Sequence, residues 1–195
     1  MSLRYDRLSN QFYTDTLFAK VKSLSGKTCM QVFCNADFVY THAMVSKSEA
    51  GEALHNFVQD VGVPTDLVSD LAGEQTGWRS DFIKEANRLR IQQHGMEPMS
   101  QWQNKAEKVI GELKKRWLRW KTERNIPGRL WGYGLKWESE IMSRTAHGPL
   151  ERTGVERITG NTPDISEWID FEMYDLVWFW DTVQRLKDPS EEGGS

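Results

Sequence analysis

The sequence predicts an α/β domain built on a mixed five-stranded sheet flanked by helices. Three observations predict it. Three apolar and aromatic segments follow one another near the start, separated by turn signals, as in an antiparallel meander. Helix and strand signals then alternate twice before two long helical stretches, which is the order of a sheet with helices on its faces. The 195 residues, 38% hydrophobic and 27% charged, suit one soluble globular domain with an appendage and a sizeable core.

Taken in order, residues 1–10 read as the remnant of a linker, and Arg4, Asp6 and Arg7 leave no apolar run of the kind a signal peptide needs. Residues 11–18 are the first expected strand. Ser25-Gly26-Lys27 is a turn. Residues 28–35 and 38–45 are two more strands, joined through Asn35-Ala36-Asp37. Ser46 or Ser48 caps a helix over residues 49–60, where Ala50, Ala53, Leu54, Phe57, Val58 and Val61 recur at helical spacing. Gly62 and Pro64 end it. Leu67-Val68-Ser69 is a short buried strand that stops at Asp70, and a Gly-rich loop follows at 72–77. Residues 80–88 make a second helix and 90–94 a fifth strand.

Pro98 breaks the loop at 95–100, and a long helix runs from about 101 to 124. Trp102, Ala106, Val109, Leu113, Trp117 and Trp120 step by three or four along it and form its expected buried stripe. Asn125-Ile126-Pro127-Gly128 ends it. A further helix covers 129–143, with Leu130, Tyr133, Leu135, Trp137 and Ile141 as its apolar set. Residues 144–163, rich in Gly and Thr, are expected to be irregular, and 172–180 to form a strand. The domain organisation that follows is a linker remnant at 1–10, a core at 11–143, a post-core extension with a C-terminal strand at 144–181, and a disordered tail at 182–195.

The net charge of −3 is no nucleic-acid signature, but its distribution is uneven. Lys114, Lys115, Arg116, Arg119, Lys121 and Arg124 make residues 114–124 basic, while 188–192 is acidic. The basic run interleaves with Trp117 and Trp120, and it reads either as a phosphate-contacting surface or as the solvated face of an amphipathic helix. The nine tryptophans, several at helical spacing, read as core or oligomer surface. Cys29 and Cys34, five apart in one strand, point to opposite faces and stay unpaired, which fits a reducing compartment, nucleus or cytoplasm. No run approaches the roughly 20 apolar residues of a membrane helix, so no membrane partner is expected. The four histidines are scattered, with no zinc spacing.

Three acids fall where such a fold gathers ligands. Asp15 lies within the first strand, Asp70 closes the fourth, and Glu107 sits early on the long helix. Ligands collect near the carboxyl ends of strands in sheets with parallel pairs. Clustered carboxylates repel unless a cation neutralises them, and hard oxygen donors suit Mg²⁺. Singly, each acid reads more simply as a turn, a cap or a solvated side chain. The pattern of three carries the chemical reading.

The surrounding motifs sharpen it. Phe12-Tyr13-Thr14-Asp15-Thr16 resembles the first-aspartate strand of retroviral and copia-type LTR retrotransposon integrase catalytic cores. Leu67-Val68-Ser69-Asp70, followed by Gly73-Glu74, resembles their second-aspartate site. The stretch from Pro98 through Gln103 to Glu107, running into Glu112-Leu113-Lys114-Lys115, resembles their flexible loop and glutamate helix, and 36 residues separate Asp70 from Glu107. Thr159-Gly160-Asn161-Thr162-Pro163 is similar to the segment after the copia-type core. Gly111 stands where the family has a lysine, and Lys105 where it commonly has a small residue.

The resemblance, over roughly residues 11–181, implies an RNase H-like fold and two-metal phosphoryl transfer: 3′-end processing and strand transfer in DNA integration. Asp15, Asp70 and Glu107 would be both the catalytic residues and the ligands of two Mg²⁺ or Mn²⁺ ions. By the resemblance Gln103 and Lys114 would contact DNA, and on its phosphate-contacting reading the basic run adds Lys115 and Arg119 as nucleic-acid-binding residues; the partners implied are the DNA ends of the element, target DNA and further copies in a homo-oligomer. The chain then reads as a piece of a polyprotein, a degraded copy or a gene prediction cut short. An inactive retroelement relic that at most binds nucleic acid or dimerises, and an RNase H-type nuclease, remain as alternatives.

Overall fold

The computed structural model describes residues 5–69, 77–95, 105–147 and 152–176. The strands are β1 (Gln11–Phe18), β2 (Cys29–Cys34), β3 (Val39–Met44), β4 (Asp66–Ser69) and β5 (Gln92–Gly95), arranged in the order β3-β2-β1-β4-β5. The first three pair antiparallel, and β4 and β5 join parallel to β1. Gly26 sits in the turn between β1 and β2 with φ 80, a left-handed conformation that glycine adopts without strain. The expected mixed five-stranded sheet is therefore present.

Helices cover both faces. The helices α1 (Ala50–Asp60) and α2 (Gly77–Arg88) supply the crossovers that parallel strands require. On their side the core contains Phe12, Phe33, Leu54, Phe57, Leu67 and Phe82. The Phe33 and Phe57 rings stack with centroids 4.7 Å apart, and Phe12 meets Phe57 edge-on at 5.1 Å. The other face is covered by α3 (Lys105–Glu123) and α4 (Trp131–Arg144), which pack Ala106, Ile110, Leu113, Trp131 and Leu135 on Leu17, Met30, Val32 and Cys34. Each large apolar side chain fully buried this way contributes roughly 1.5–3 kcal/mol. β2 lies between the two layers and is buried at every position. Cys29 and Cys34 accordingly point into opposite layers as free thiols.

Several expectations need correction. Ser46 does cap the chain before α1, but a short 3₁₀ turn, Lys47–Glu49, comes first. β5 starts at Gln92 because Arg90 takes φ 56 and turns the chain after α2. On α3 the buried stripe is Ala106, Ile110 and Leu113, with Val109, Trp117 and Trp120 only half-buried; Trp102 lies outside the described residues. On α4, Tyr133 is exposed and Trp137 half-buried, whereas Glu138, Ser139 and Ser143 are buried. The cause is the edge strand β3. The Ser143 hydroxyl donates to the Val39 carbonyl at 2.9 Å and accepts from the Val39 N–H at 2.8 Å, and Ser139 meets Thr41 at 3.0 Å. α4 thus turns a polar stripe toward β3, and Ser143 satisfies the outward N–H and carbonyl of Val39 on that edge strand.

The described part of the segment expected to be irregular, 144–163, contains regular elements. β6 (Ala146–His147) pairs antiparallel with β7 (Arg152–Thr153), and α5 (Gly154–Thr159) follows. A capping box formed by Thr153 and Glu156 starts α5, and Gly160 with φ 76 ends it. α6 (Ser166–Asp170) is a single short helix. The expected C-terminal strand is absent from 172–176. There the Glu172 N–H donates to Asp175 Oδ2 at 2.8 Å and Tyr174 takes φ 74, which makes a turn of this stretch. Residues 177–180 of that expectation lie outside the described residues. No described helix is long and apolar enough to cross a membrane.

Candidate metal and nucleic-acid site

Asp15 sits on the central strand. Alternation along β1 puts Tyr13, Asp15 and Leu17 on the face covered by α3, with Cys34 opposite Tyr13 and Val32 opposite Asp15 in the register. The other face of the strand is pinned by a polar ladder. Thr14 donates to the Val32 carbonyl at 2.8 Å, Gln31 Nε2 donates to Thr14 Oγ1 at 2.6 Å, and Thr16 donates to Gln31 Oε1 at 2.8 Å. Thr14 and Gln31 are buried, so breaking the ladder would strand polar groups in the core. The ladder fixes the backbone on either side of Asp15, whose Oδ1 accepts from the Thr16 N–H at 2.7 Å.

Glu107 is exposed in the first turn of α3. That turn is anchored beside β1 in two ways. Ala106 and Ile110 bury themselves in the layer that contains Leu17, Val32 and Cys34. The Lys105 ammonium lies 5.0 Å from the centre of the Tyr13 ring, two residues along the strand from Asp15. Burial pushes the Cys34 thiol up to about 12, with Lys105 opposing and Asp15 reinforcing the shift, so both charges act on one buried atom. Asp15 and the start of α3 therefore share one face and one end of the sheet.

The third acid, Asp70, lies outside the described residues, and so does Gln103. Within the described part, β4 runs parallel to β1 with Thr14 opposite Ser69, the residue before Asp70 in the sequence. Among the described residues no group of three or more His, Cys, Asp or Glu side chains is placed to hold a metal ion. Lys114 and Lys115 are exposed on α3. Arg119 is also exposed, and its Nε pairs with Glu123 Oε1 at 2.9 Å.

Two arrangements on these helices escaped the sequence reading. Glu138 is almost wholly inside, its carboxylate facing Arg116 Nη1 at 3.8 Å, while Arg116 also pairs with Glu112 at 2.9 Å. Burial raises the Glu138 carboxyl above its ordinary value, and Arg116 opposes the shift. Its place on the stripe Trp131–Leu135–Glu138–Met142 was the available signal. Gly134 admits the Trp117 ring to the same seam: a Cβ there would lie 2.2 Å from two ring atoms. Both features lock α3 to α4 and thereby hold the helix that carries Glu107, Lys114 and Lys115.

No family model and no curated protein matches the chain. Solved structures do. The HTLV-2 integrase catalytic core domain in complex with magnesium, in a trimeric form, aligns with a TM-score of 0.56 at 15% identity, over 80% of this chain and 99% of that one. The catalytic core domain of BIV integrase aligns with a TM-score of 0.58 at 15% identity, over 84% and 99%. A chain of the simian T-cell lymphotropic virus intasome in complex with PP2A regulatory subunit B56 gamma aligns with a TM-score of 0.59 at 14% identity, over 93% of this chain and 62% of that one. The fold is the RNase H-like α/β fold of integrase catalytic cores.

Proposed function

We propose that this chain is the catalytic core of a copia-type retrotransposon integrase that processes and joins DNA ends, with Asp15, Asp70 and Glu107 holding two Mg²⁺ or Mn²⁺ ions. The observation that carries the reading is the convergence of Asp15 on β1 with the first turn of α3, which bears Glu107, on one face of an integrase-like sheet. The donor chemistry fits: these are carboxylate oxygens, hard ligands that leave positions open for water and phosphate. Bound metal would activate the attacking oxygen and stabilise the leaving one.

The chain's own residues supply the remainder. The Thr14–Gln31 ladder holds Asp15 on a rigid strand, and a displacement of about 1 Å in such a site can cost roughly a hundredfold in rate. Lys114 and Lys115, exposed on the same helix as Glu107, bind DNA phosphates, with Arg119 further along and Gln103 approaching the DNA end. Element ends and target DNA are the substrates, and a homo-oligomer is the working unit.

One observation favours a second reading, a catalytically silent relic that binds DNA. The Lys105 ammonium beside Tyr13 brings a fixed positive charge to the neighbourhood meant for metal. A single assay separates the two: metal-dependent joining of a labelled DNA end to a target duplex. The catalytic reading expects joining by the wild type and its loss in Asp15→Asn and Glu107→Gln. DNA binding without joining supports the relic, and joining that survives Asp15→Asn overturns the metal assignment.

A further inference from the structure

The segment that follows α5 folds back on the two long helices. Residues 160–176 contain five acidic side chains, Asp164, Glu167, Asp170, Glu172 and Asp175, and no Lys, Arg or His. Residues 105–124, which cover α3 and the residue after it, contain eight Lys or Arg against three Glu. The two stretches meet at Arg124, just past the end of α3. Its Nη1 pairs with Asp175 Oδ1 at 2.6 Å and its Nη2 pairs with Glu172 Oε2. The same guanidinium stands 5.0 Å over the Trp120 ring. A second grip lies on α4, where Arg144 stacks 4.0 Å over Trp168 and Trp137 packs against it with ring centroids 6.2 Å apart.

The attachment has a particular character. Among the described side chains of residues 160–176, none is buried. Phe171 and Tyr174 are half exposed, and Leu176 is 87% exposed. The strap is thus held by charge and ring stacking at two points, without a hydrophobic core of its own. Segments with few buried apolar contacts sit at the low end of local stability and open readily. Exposed ion pairs contribute little and are screened by salt. What holds Arg124 is a pair of carboxylates, the same oxygen geometry that two phosphate groups would offer it.

We propose that this acidic strap is an intramolecular competitor of DNA: Glu172 and Asp175 occupy Arg124 as phosphates would, and the backbone of a duplex laid along α3 displaces them. The inference rests on the reading of α3 as a DNA-binding helix and adds a regulator to it. While the strap is down, the basic track ends short of Arg124. When it lifts, one more cation joins the track and the two carboxylates on Arg124 leave it.

The test uses the whole chain and a labelled duplex of arbitrary sequence, with binding followed by fluorescence anisotropy over a series of salt concentrations. Neutralising the clamp with Glu172→Gln and Asp175→Asn should tighten binding about three- to tenfold at low salt and steepen the salt dependence by about one counterion. In an Arg124→Gln background the same pair of substitutions should change nothing. Amide exchange over residues 160–176 of the wild type should quicken when DNA is added. Equal affinity and slope in the clamp variant overturn the inference and leave the DNA reading intact. A gain that persists without Arg124 also overturns it, because it would mark a diffuse charge effect. Failure of every form, wild type included, to bind DNA overturns the DNA reading and the inference together.

Discussion

Replacing Gly154 with alanine sets two effects of opposite sign against each other. Gly154 opens α5, and alanine in a helix is intrinsically better than glycine by about 1 kcal/mol. On propensity alone the variant is more stable. Packing says the reverse. A Cβ at this position would lie 2.1 Å from the carbonyl oxygen of Asp37, 2.7 Å from its carbonyl carbon and 3.1 Å from the Cα of Phe38. All three are backbone atoms, so no rotamer change relieves the overlap. Helix and hairpin must part by more than 1 Å to restore an ordinary contact. Parting weakens the pair between Arg157 Nη1 and Asp37 Oδ2, now 2.5 Å, and draws Val155 and Ile158 off the apolar layer they cover. Overpacking of this kind costs about 1–3 kcal/mol, which with the loosened contacts outweighs the propensity gain. The net expectation is a loss of about 2 kcal/mol, a fall in Tm of roughly 4–8 °C for a chain of this size. Thermal and urea denaturation followed by circular dichroism measure it. A Tm equal to or above that of the wild type would refute the packing of α5 on the β2–β3 hairpin.

Two further predictions concern α3 and α4. The Glu138 carboxyl titrates above its ordinary value of 4.5 in the folded chain because it is buried. The folded state therefore holds that proton more tightly, and the stability linked to it is present at low pH and lost as pH rises through the folded value. Glu138→Gln removes this term, so its Tm relative to the wild type should climb as pH is raised from about 4 to 7; a falling difference would mean that attraction to Arg116 outweighs burial. Lys114→Gln with Lys115→Gln changes two exposed side chains. Its melting should match the wild type, while the slope of DNA affinity against salt should drop by about two counterions; an unchanged slope would remove these lysines from the interface.

Much of the sheet was legible in the sequence, because strands that face a core on one or both sides leave strong local patterns. Residues 11–18 read as a strand and are one, and the opposite facing of Cys29 and Cys34 follows from alternation alone. Boundaries slipped where a single residue took an unusual backbone, as Arg90 did before β5. The inward face of α4 differs from the apolar expectation because it is partly polar: Ser143 meets the outward N–H and carbonyl of Val39 on β3 and Ser139 meets the Thr41 hydroxyl, tertiary demands that no local pattern announces. The capping box at Thr153 and Glu156 was a readable local signal for α5, outweighed by a Gly- and Thr-rich composition. The expected strand at 172–180 fails in its described part for a nonlocal reason: Glu172 and Asp175 are drawn to Arg124, more than forty residues earlier in the chain. Of the candidate site, the strand position of Asp15 and the helix position of Glu107 were both legible. Their approach to a common face depends on how α3 packs, which the sequence only implies.

The most direct test of the central claim is the effect of Mn²⁺ on the melting of the chain. Ions held by Asp15, Asp70 and Glu107 in the folded state alone would stabilise it by about 2.7 kcal/mol at a hundred times the dissociation constant, a rise in Tm of roughly 5–10 °C. That rise should vanish in Asp15→Asn, in Asp70→Asn and in Glu107→Gln. An undiminished rise in any of the three would contradict the assignment of that carboxylate, and no rise in the wild type would contradict the metal site as a whole.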